Sequence, residues 1–421
     1  MHELVAELYP ICRSITGDGL RATLRRIAEL VPLELHEVPS GTSVFDWTVP
    51  PEWNIRDAWI ADPKGRRVVD FQESSLHVVN YSTPVRARMS LAELRPHLHA
   101  LPEQPDLIPY RTSYYRESWG FCLTQRVLDS LPEGQYDVCI DSTLAAGALT
   151  YGECVLPGET EEEVLFSCHS CHPSLANDNL AGMAVATFLA RWLADQPRRY
   201  TYRFVFIPGT IGSIAWLAKN EARTVRVRHG LVLSCLGDAG MPHYKRSQRG
   251  NADVDRAVAH VLAHGGPHEV RDFVPYGYDE RQYCSPGFDL PVGCLTRTPN
   301  GEYPEYHTSA DNPAFVRPES LAHSLGLLQQ VVEVLEGNRC YRNLAPRGEP
   351  QLGRRGLYRP TGGAALAGFE FALLWVLNQS DGHRSLLDIA ERSGQPFPLL
   401  AAAAGALRES GLLAAVAEEV A

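Results

Sequence analysis

The residues of this chain most able to do chemistry lie in three polar clusters. The densest runs from Cys168-His169-Ser170-Cys171-His172-Pro173 to Asn177-Asp178-Asn179, between one apolar run that reads as a strand and another that reads as a helix. Histidine and aspartate on a loop at the C-terminal end of a strand stand where open α/β sheets place their sites. Imidazole nitrogen and carboxylate oxygen suit Zn²⁺, whereas a carboxylate at a helix start also caps free backbone N–H groups. Both readings of Asp178 stay open, and a thiolate ligand from Cys168 or Cys171 is a further option. The second cluster, Gly301-Glu302-Tyr303-Pro304-Glu305-Tyr306-His307-Thr308-Ser309-Ala310-Asp311-Asn312, offers His307 as a metal ligand with Asp311 to orient it. The third, Tyr278-Asp279-Glu280-Arg281-Gln282-Tyr283, reads either as a solvated loop or as an acid/base and substrate-clamping one.

The elements that must carry these clusters follow from apolar spacing. Two helices open the chain, Glu3 to Ile11 and Leu20 to Val31, with Cys12-Arg13-Ser14-Ile15-Thr16-Gly17 as the break. From Leu35 to Tyr81 short apolar runs are cut by Pro and Gly, and three of the seven Trp fall at positions 47, 53 and 59, which predicts a β-rich module. The middle alternates predicted strands (136–140, 163–167, 202–207, 230–234) with predicted helices (179–193, 214–220, 254–264, 320–335). Alternation of this kind predicts a mostly parallel sheet covered by helices on both faces. After Glu336 an Arg-, Gly- and Pro-rich linker leads to three short helices (369–376, 386–393, 399–413), with Asp381-Gly382 as a turn and Leu412-Leu413 as the start of a wing.

Composition bounds the function. At 421 residues, with 44% hydrophobic and 21% charged residues, the chain is too long and too apolar for a mini-protein or a disordered segment, and two or three domains are expected. Thirty-nine Lys+Arg against 50 Asp+Glu give a net charge of −11, which argues against nucleic acid as a partner and leaves a cationic or neutral substrate open. From residue 341 onward eight Arg face eight Asp+Glu, so the helical tail lacks the basic surface of a DNA-binding domain. No apolar run approaches the roughly 20 residues of a membrane helix, and the acidic start does not resemble a secretory signal, so a cytoplasmic protein is expected. The ten cysteines are expected as free, mostly buried thiols.

Taken together the clusters resemble a family. His169, Asp178, the strand ending at Asp238, the Asp279 loop and Tyr306-His307-Thr308 follow the order in which co-catalytic zinc aminopeptidases present their His, bridging Asp, third carboxylate, substrate loop and final His. More closely, Cys171-His172-Pro173-Ser174-Leu175-Ala176-Asn177-Asp178-Asn179, Asp279-Glu280-Arg281-Gln282-Tyr283 and Tyr306-His307-Thr308-Ser309 are similar to the aminopeptidase-like proteins labelled as polysaccharide-biosynthesis proteins. The resemblance extends from Arg13-Ser14-Ile15-Thr16-Gly17 to Leu374-Trp375-Val376-Leu377-Asn378.

It implies an α/β fold with a zinc-aminopeptidase-like, mostly parallel sheet flanked by helices, a β-rich inserted domain and a C-terminal winged-helix domain. The expected boundaries are residues 1–34 and 100–340 for the aminopeptidase-like domain, 35–99 for the insert, 341–363 for a linker and 364–421 for the winged helix. It implies one or two zinc ions held by His169 or His172, Asp178 and His307, with Asp238 as a further ligand, and a metal-activated water that hydrolyses an amide or peptide bond. Asp279, Arg281, Gln282, Tyr283, Arg297 and Tyr306 become the expected substrate contacts.

Two departures stand out. Where such relatives carry Pro-Glu-Thr-Ile-Gly-Ser, with the glutamate as general base or ligand, this chain has Pro208-Gly209-Thr210-Ile211-Gly212-Ser213. Gly209 cannot move a proton, so either Glu280 supplies the carboxylate or the chain is a catalytically impaired relative that binds with the same pocket. Cys171 stands where zinc aminopeptidases place an aspartate behind the histidine. The expected activity is hydrolysis of a small peptide-like or aminoacylated metabolite in a biosynthetic pathway, with a homo-oligomer through the insert or tail left open.

Overall fold

The sheet that positions these clusters is built from the apolar runs beside them. The computed structural model describes residues 1–357 and 368–416, and the chain forms two compact units, one of Met1–Gly250 with Glu269–Leu325 and another of Asn251–His268 with Gly326–Ala421.

In the first unit eight strands form one mixed sheet in the order Leu33–Pro39, Ala148–Leu156, Thr201–Ile207, Glu163–His169, Val227–Leu233, Val292–Thr296, His243–Lys245, Glu269–Arg271. The four central strands, Thr201–Ile207 through Val292–Thr296, run parallel, and antiparallel strands flank them on either side. Glu163–His169 is buried at every residue, as a central parallel strand covered on both faces must be. Phe166 stacks on Phe204 of the neighbouring strand at 5.0 Å between ring centroids. This strand–helix architecture, with helices Gly182–Ala194 and Ile211–Asn220 following the strands, matches the expected α/β class.

Two buried charged residues, Glu163 and Arg203, break the apolar pattern of the central strands. Arg203, 1% exposed, lies inside Thr201–Ile207. Its guanidinium donates to Glu163 Oε2 at 2.7 Å and Oε1 at 2.8 Å, and Nη1 lies 3.0 Å from Glu153 Oε1. A planar donor fork matched to two carboxylates is what allows a guanidinium inside a sheet.

The β-rich module has different limits in the sheet pairing from those expected. Glu52–Ala61, Arg67–Asp70 and Val85–Ser90 lie within 35–99, but they pair through Gln135–Ala145 into a separate four-stranded sheet, while Leu33–Pro39 belongs to the large one. The strand at 136–140, expected in the parallel core, therefore lies in this second sheet. Its apolar content reads the same in either place, and only its long-range partners decide between them.

The second unit holds a three-stranded sheet in the order Asp381–Ser385, Cys340–Asn343, Leu413–Ala415, with helices Gly368–Gln379, Leu386–Ser393 and Phe397–Glu409. Cys340–Asn343 is the central strand of a winged-helix domain, although its composition reads as linker. Tyr341 is its buried anchor, and both flanking strands lie far along the chain. Residues 358–367, the rest of the expected linker, lie outside the described residues. Helix Asp253–Gly265 also belongs to this unit. Arg256 donates to Asp388 at 2.5 Å and to Glu391 at 2.6 Å, and His260 Nε2 accepts the Phe397 N–H at 3.1 Å. Among the described residues no helix is long and apolar enough to cross a membrane.

Candidate metal centre

His169 is the last residue of its strand, so its side chain leaves the sheet at the parallel strands' C-terminal ends. The chain then loops through Ser170–Leu175 and an irregular helical turn at Ala176–Ala181 before helix Gly182–Ala194. This turn delivers Asp178 back to His169, with His169 Nε2 2.6 Å from Asp178 Oδ1. His307, from the long loop after Val292–Thr296, sets Nε2 3.0 Å from Asp178 Oδ2, and His172 Nε2 lies 3.8 Å from the same oxygen. One carboxylate, 0% exposed, thus faces three imidazoles.

The electrostatics follow from that geometry. Burial alone would raise the Asp178 carboxyl, but the His172 and His169 imidazoles, with hydrogen bonds from His169 and His307, outweigh it and hold the group well below the usual carboxylate range. Burial pushes the His172 imidazole well below its ordinary value, against the pull of Asp178. An ionised carboxylate beside a neutral imidazole is the state in which both act as metal ligands. Ligand atoms of His169, His172 and Asp178 fall within 4.8 Å of one another. The donor set therefore fits a borderline-soft divalent cation.

The surrounding residues fix this arrangement. Asp311 Oδ1 accepts the N–H groups of Ala176 at 3.1 Å and Asn177 at 2.6 Å, and Oδ2 accepts that of Asp178 at 3.0 Å. It orients the Asp178 turn, and not His307 for which the sequence suggested it. Burial pushes the Asp311 carboxyl up to about 7, opposed by the N–H bonds it accepts. Asn179 Oδ1 accepts the Gly182 N–H at 3.1 Å, so the helix start is satisfied by Asn179, and Asp178 is not a cap. Arg13, 1% exposed, donates from Nε to the His172 carbonyl at 2.9 Å, tying the opening segment to the ligand loop.

Several expected site residues lie elsewhere. Asp238 accepts from Asn177 Nδ2 at 3.1 Å, Gly240 N at 2.6 Å and Thr298 Oγ1 at 2.7 Å, so its oxygens are occupied and it supports the loop behind Asp178 instead of joining the cluster. Glu280 is 0% exposed, and its carboxylate takes Lys245 Nζ at 2.5 Å and the Tyr278 N–H at 3.1 Å. Its carboxylate is thus taken up by Lys245 and the loop backbone. Tyr283 is a core residue whose hydroxyl pairs with Ser167 Oγ at 2.9 Å. Arg297 Nη1 lies 3.0 Å from His323 Nδ1, away from the cluster. Arg281 is exposed and donates from Nε to the Tyr278 carbonyl at 3.3 Å, and Gln282 is half-buried beside it. Tyr306 stacks on His307 with ring centroids 3.9 Å apart.

Asp279 is the carboxylate with spare capacity. Its Oδ1 accepts from Ser213 Oγ at 2.8 Å, while the buried Oδ2 has no hydrogen-bond partner. Burial pushes this carboxyl up to about 6, against the opposing influence of His169 and the Ser213 bond. Sequence reasoning missed two aromatic walls. Tyr110 packs edge-on to His307 at 5.0 Å, and Tyr278 stacks on His169 at 3.8 Å. Tyr278 stood at the head of the third cluster, and only its position beside Asp279 marked it. The described cysteines are free, and burial pushes the Cys171 thiol up to about 12, so it is not poised as a thiolate ligand.

Comparison with known proteins gives the family and the fold. A family model described as a domain of unknown function, DUF4910, matches residues 2–338, and a winged helix-turn-helix model matches residues 339–415. The chain belongs to the DUF4910 family. A Clostridium acetobutylicum protein, described as a polysaccharide biosynthesis protein with aminopeptidase-like domain, is 52% identical over 98% of this chain and 95% of its own length. A crystal structure of a protein from that organism, described as a peptidase, superposes with a TM-score of 0.95 at 50% identity, covering 99% of this chain and 96% of the other. A zinc aminopeptidase from Bacillus subtilis shares the fold at a TM-score of 0.59 and 11% identity, over 79% of this chain and 93% of its own. This DUF4910 chain thus has an aminopeptidase-like fold with a C-terminal winged-helix domain.

Proposed function

We propose that this DUF4910 chain is a zinc-dependent amide hydrolase acting on a small peptide-like or aminoacylated metabolite. The observation that carries the reading is the Asp178 carboxylate, fully buried and faced by His169, His172 and His307. His169, His172, Asp178 and His307 would hold one or two zinc ions. Zinc bound there supplies Lewis acidity and lowers the pKa of a coordinated water to near 7.

The chain's own residues supply the rest. Asp178 stays ionised, and Tyr306 and Tyr110 flank His307. Asp279 Oδ2, buried and without a hydrogen-bond partner, is the carboxylate oxygen able to take a proton and return it to the leaving amine. A carboxyl near 6 lies in the range that suits a general base.

The test is metal analysis of the purified protein with an amide-hydrolysis panel of aminoacyl and peptidyl compounds. Near-stoichiometric zinc, activity abolished by chelation, and loss of both in Asp178→Asn support the proposal. Asp279→Asn should keep its zinc and lose about 10²- to 10⁴-fold in kcat. A second reading, a binding protein on the same scaffold, is favoured by Gly209 and by the engagement of Glu280 with Lys245. Stoichiometric zinc without turnover on any amide would select it, and absence of zinc binding would sink the metal centre.

A further inference from the structure

The loop after strand Thr201–Ile207 passes beside the cluster. The Ser170 N–H donates to the Ile207 carbonyl at 2.9 Å, and Cys171 Sγ donates to the Gly209 carbonyl at 3.7 Å. The side-chain space at position 209 is already filled. A Cβ placed on Gly209 would run into Cε1 of Tyr278 and lie 2.7 Å from Cδ1 and 2.8 Å from Cζ of the same ring. Packed carbons do not approach so closely, so no side chain fits at 209 while that ring is in place.

The ring over Gly209 also touches both histidines of the loop. It stacks on His169 with centroids 3.8 Å apart and planes 30° from parallel, and it sets its hydroxyl 3.5 Å from His172 Nε2 and 3.7 Å from Cys171 Sγ. Its backbone is pinned from behind. The Tyr278 N–H donates to both oxygens of Glu280, each at 3.1 Å, and Lys245 Nζ holds that carboxylate at 2.5 Å. A partly buried ion pair that the chemistry does not use thus braces the Tyr278 backbone.

We infer that Tyr278 is a positioning residue, whose ring occupies the side-chain place of residue 209 and fixes the faces that His169 and His172 present to the cluster. Glycine at 209 is then a requirement of the Tyr278 seat. It follows that Gly209→Glu alone adds a carboxylate with no room for it, and that a side chain at 209 becomes tolerable only when the ring is trimmed. The inference about His169 and His172 rests on the metal-centre reading, whereas the seat itself does not.

The experiment is a double-mutant cycle of Gly209→Ala and Tyr278→Ala in the full chain, with Tyr278→Phe as the conservative control. Thermal unfolding of metal-free protein should show Gly209→Ala lowering Tm by at least about 3 °C in the wild-type background and by under about 1 °C when the ring is absent. Zinc titration by calorimetry should show Tyr278→Ala weakening affinity at least about tenfold, with Tyr278→Phe within about threefold of wild type. Equal cost of Gly209→Ala in both backgrounds overturns the seat, and loss of zinc affinity in Tyr278→Phe equal to that in Tyr278→Ala overturns positioning by the ring. Should Tyr278→Ala fail to fold, Tyr278→Leu replaces it with the same expectations. A chain that binds no zinc refutes the metal centre, and the thermal cycle then still decides the seat.

Discussion

The carboxyl group of Asp311 holds Asp178 in place from behind, accepting the Asp178 N–H at 3.0 Å and the N–H groups of the two preceding residues. Two acidic residues that are 133 positions apart thus share one turn, the outer one shaping the backbone and the inner one facing the imidazoles.

Loss of that support should be felt in two measurements. Asp311→Ala leaves the buried N–H groups of Asn177 and Asp178 unpaired, each costing on the order of 1–3 kcal/mol, while the Ala176 N–H keeps the Asp311 backbone carbonyl at 3.1 Å. Chemical denaturation should show a loss of at least about 2 kcal/mol, and zinc affinity should fall about 10- to 100-fold, the usual effect of removing a group that orients a ligand. Unchanged affinity in a folded Asp311→Ala protein would mean that the Asp178 turn holds its shape unaided.

The Arg203–Glu163 pair gives a prediction about the scaffold. Both side chains are buried, at 1% and 2% exposure, and Glu163→Gln would leave the guanidinium without its bidentate partner. Breaking a buried pair from one side costs about 3–5 kcal/mol, whereas replacing both partners with apolar residues is often close to neutral. Because Arg203 Nη1 also lies 3.0 Å from Glu153 Oε1, urea unfolding should rank the triple variant Glu153→Gln, Glu163→Leu and Arg203→Met above Glu163→Gln. The reverse ranking would show that the charges contribute more than their desolvation costs.

His229 provides a pH signature remote from the proposed metal centre. Burial, with smaller contributions from Arg199 and Arg228, pushes its imidazole down to about 3 from an ordinary 6.5. Above pH 6.5 the ring is neutral in both folded and unfolded chains and contributes no slope. As pH falls from 6.5 toward 3 only the unfolded chain takes the proton, so stability is lost with falling pH, by about 2 kcal/mol at pH 5. In His229→Gln the difference in unfolding free energy between pH 7.5 and pH 5 should shrink by about that amount. An identical pH dependence in the two proteins would remove His229 as the cause.

How much of this was legible beforehand differs by level. The alternation of apolar strands with helices gave the α/β class, because burial on both faces imposes continuous apolar runs that local pattern reveals. The placement of His169 at a strand end, and of Asp178 before a helix, was visible for the same reason. The edges of the β-rich module were not, since the pairing of Glu52–Ala61 with Gln135–Ala145 joins segments whose local texture is shared by many strands.

By itself the sequence determined the fold class, the three polar clusters, the family and the absence of a glutamate at 209. Only the tertiary structure decided which polar residues face one another. It turned Glu280 toward Lys245, bound Asp238 to Asn177 and Thr298, buried Tyr283 in the core and seated Tyr278 on Gly209. The physical reason is that strand and helix periods are local properties of the chain. The direction of a side chain in a loop is set instead by partners dozens of residues away, whose positions the sheet fixes and no local spacing records.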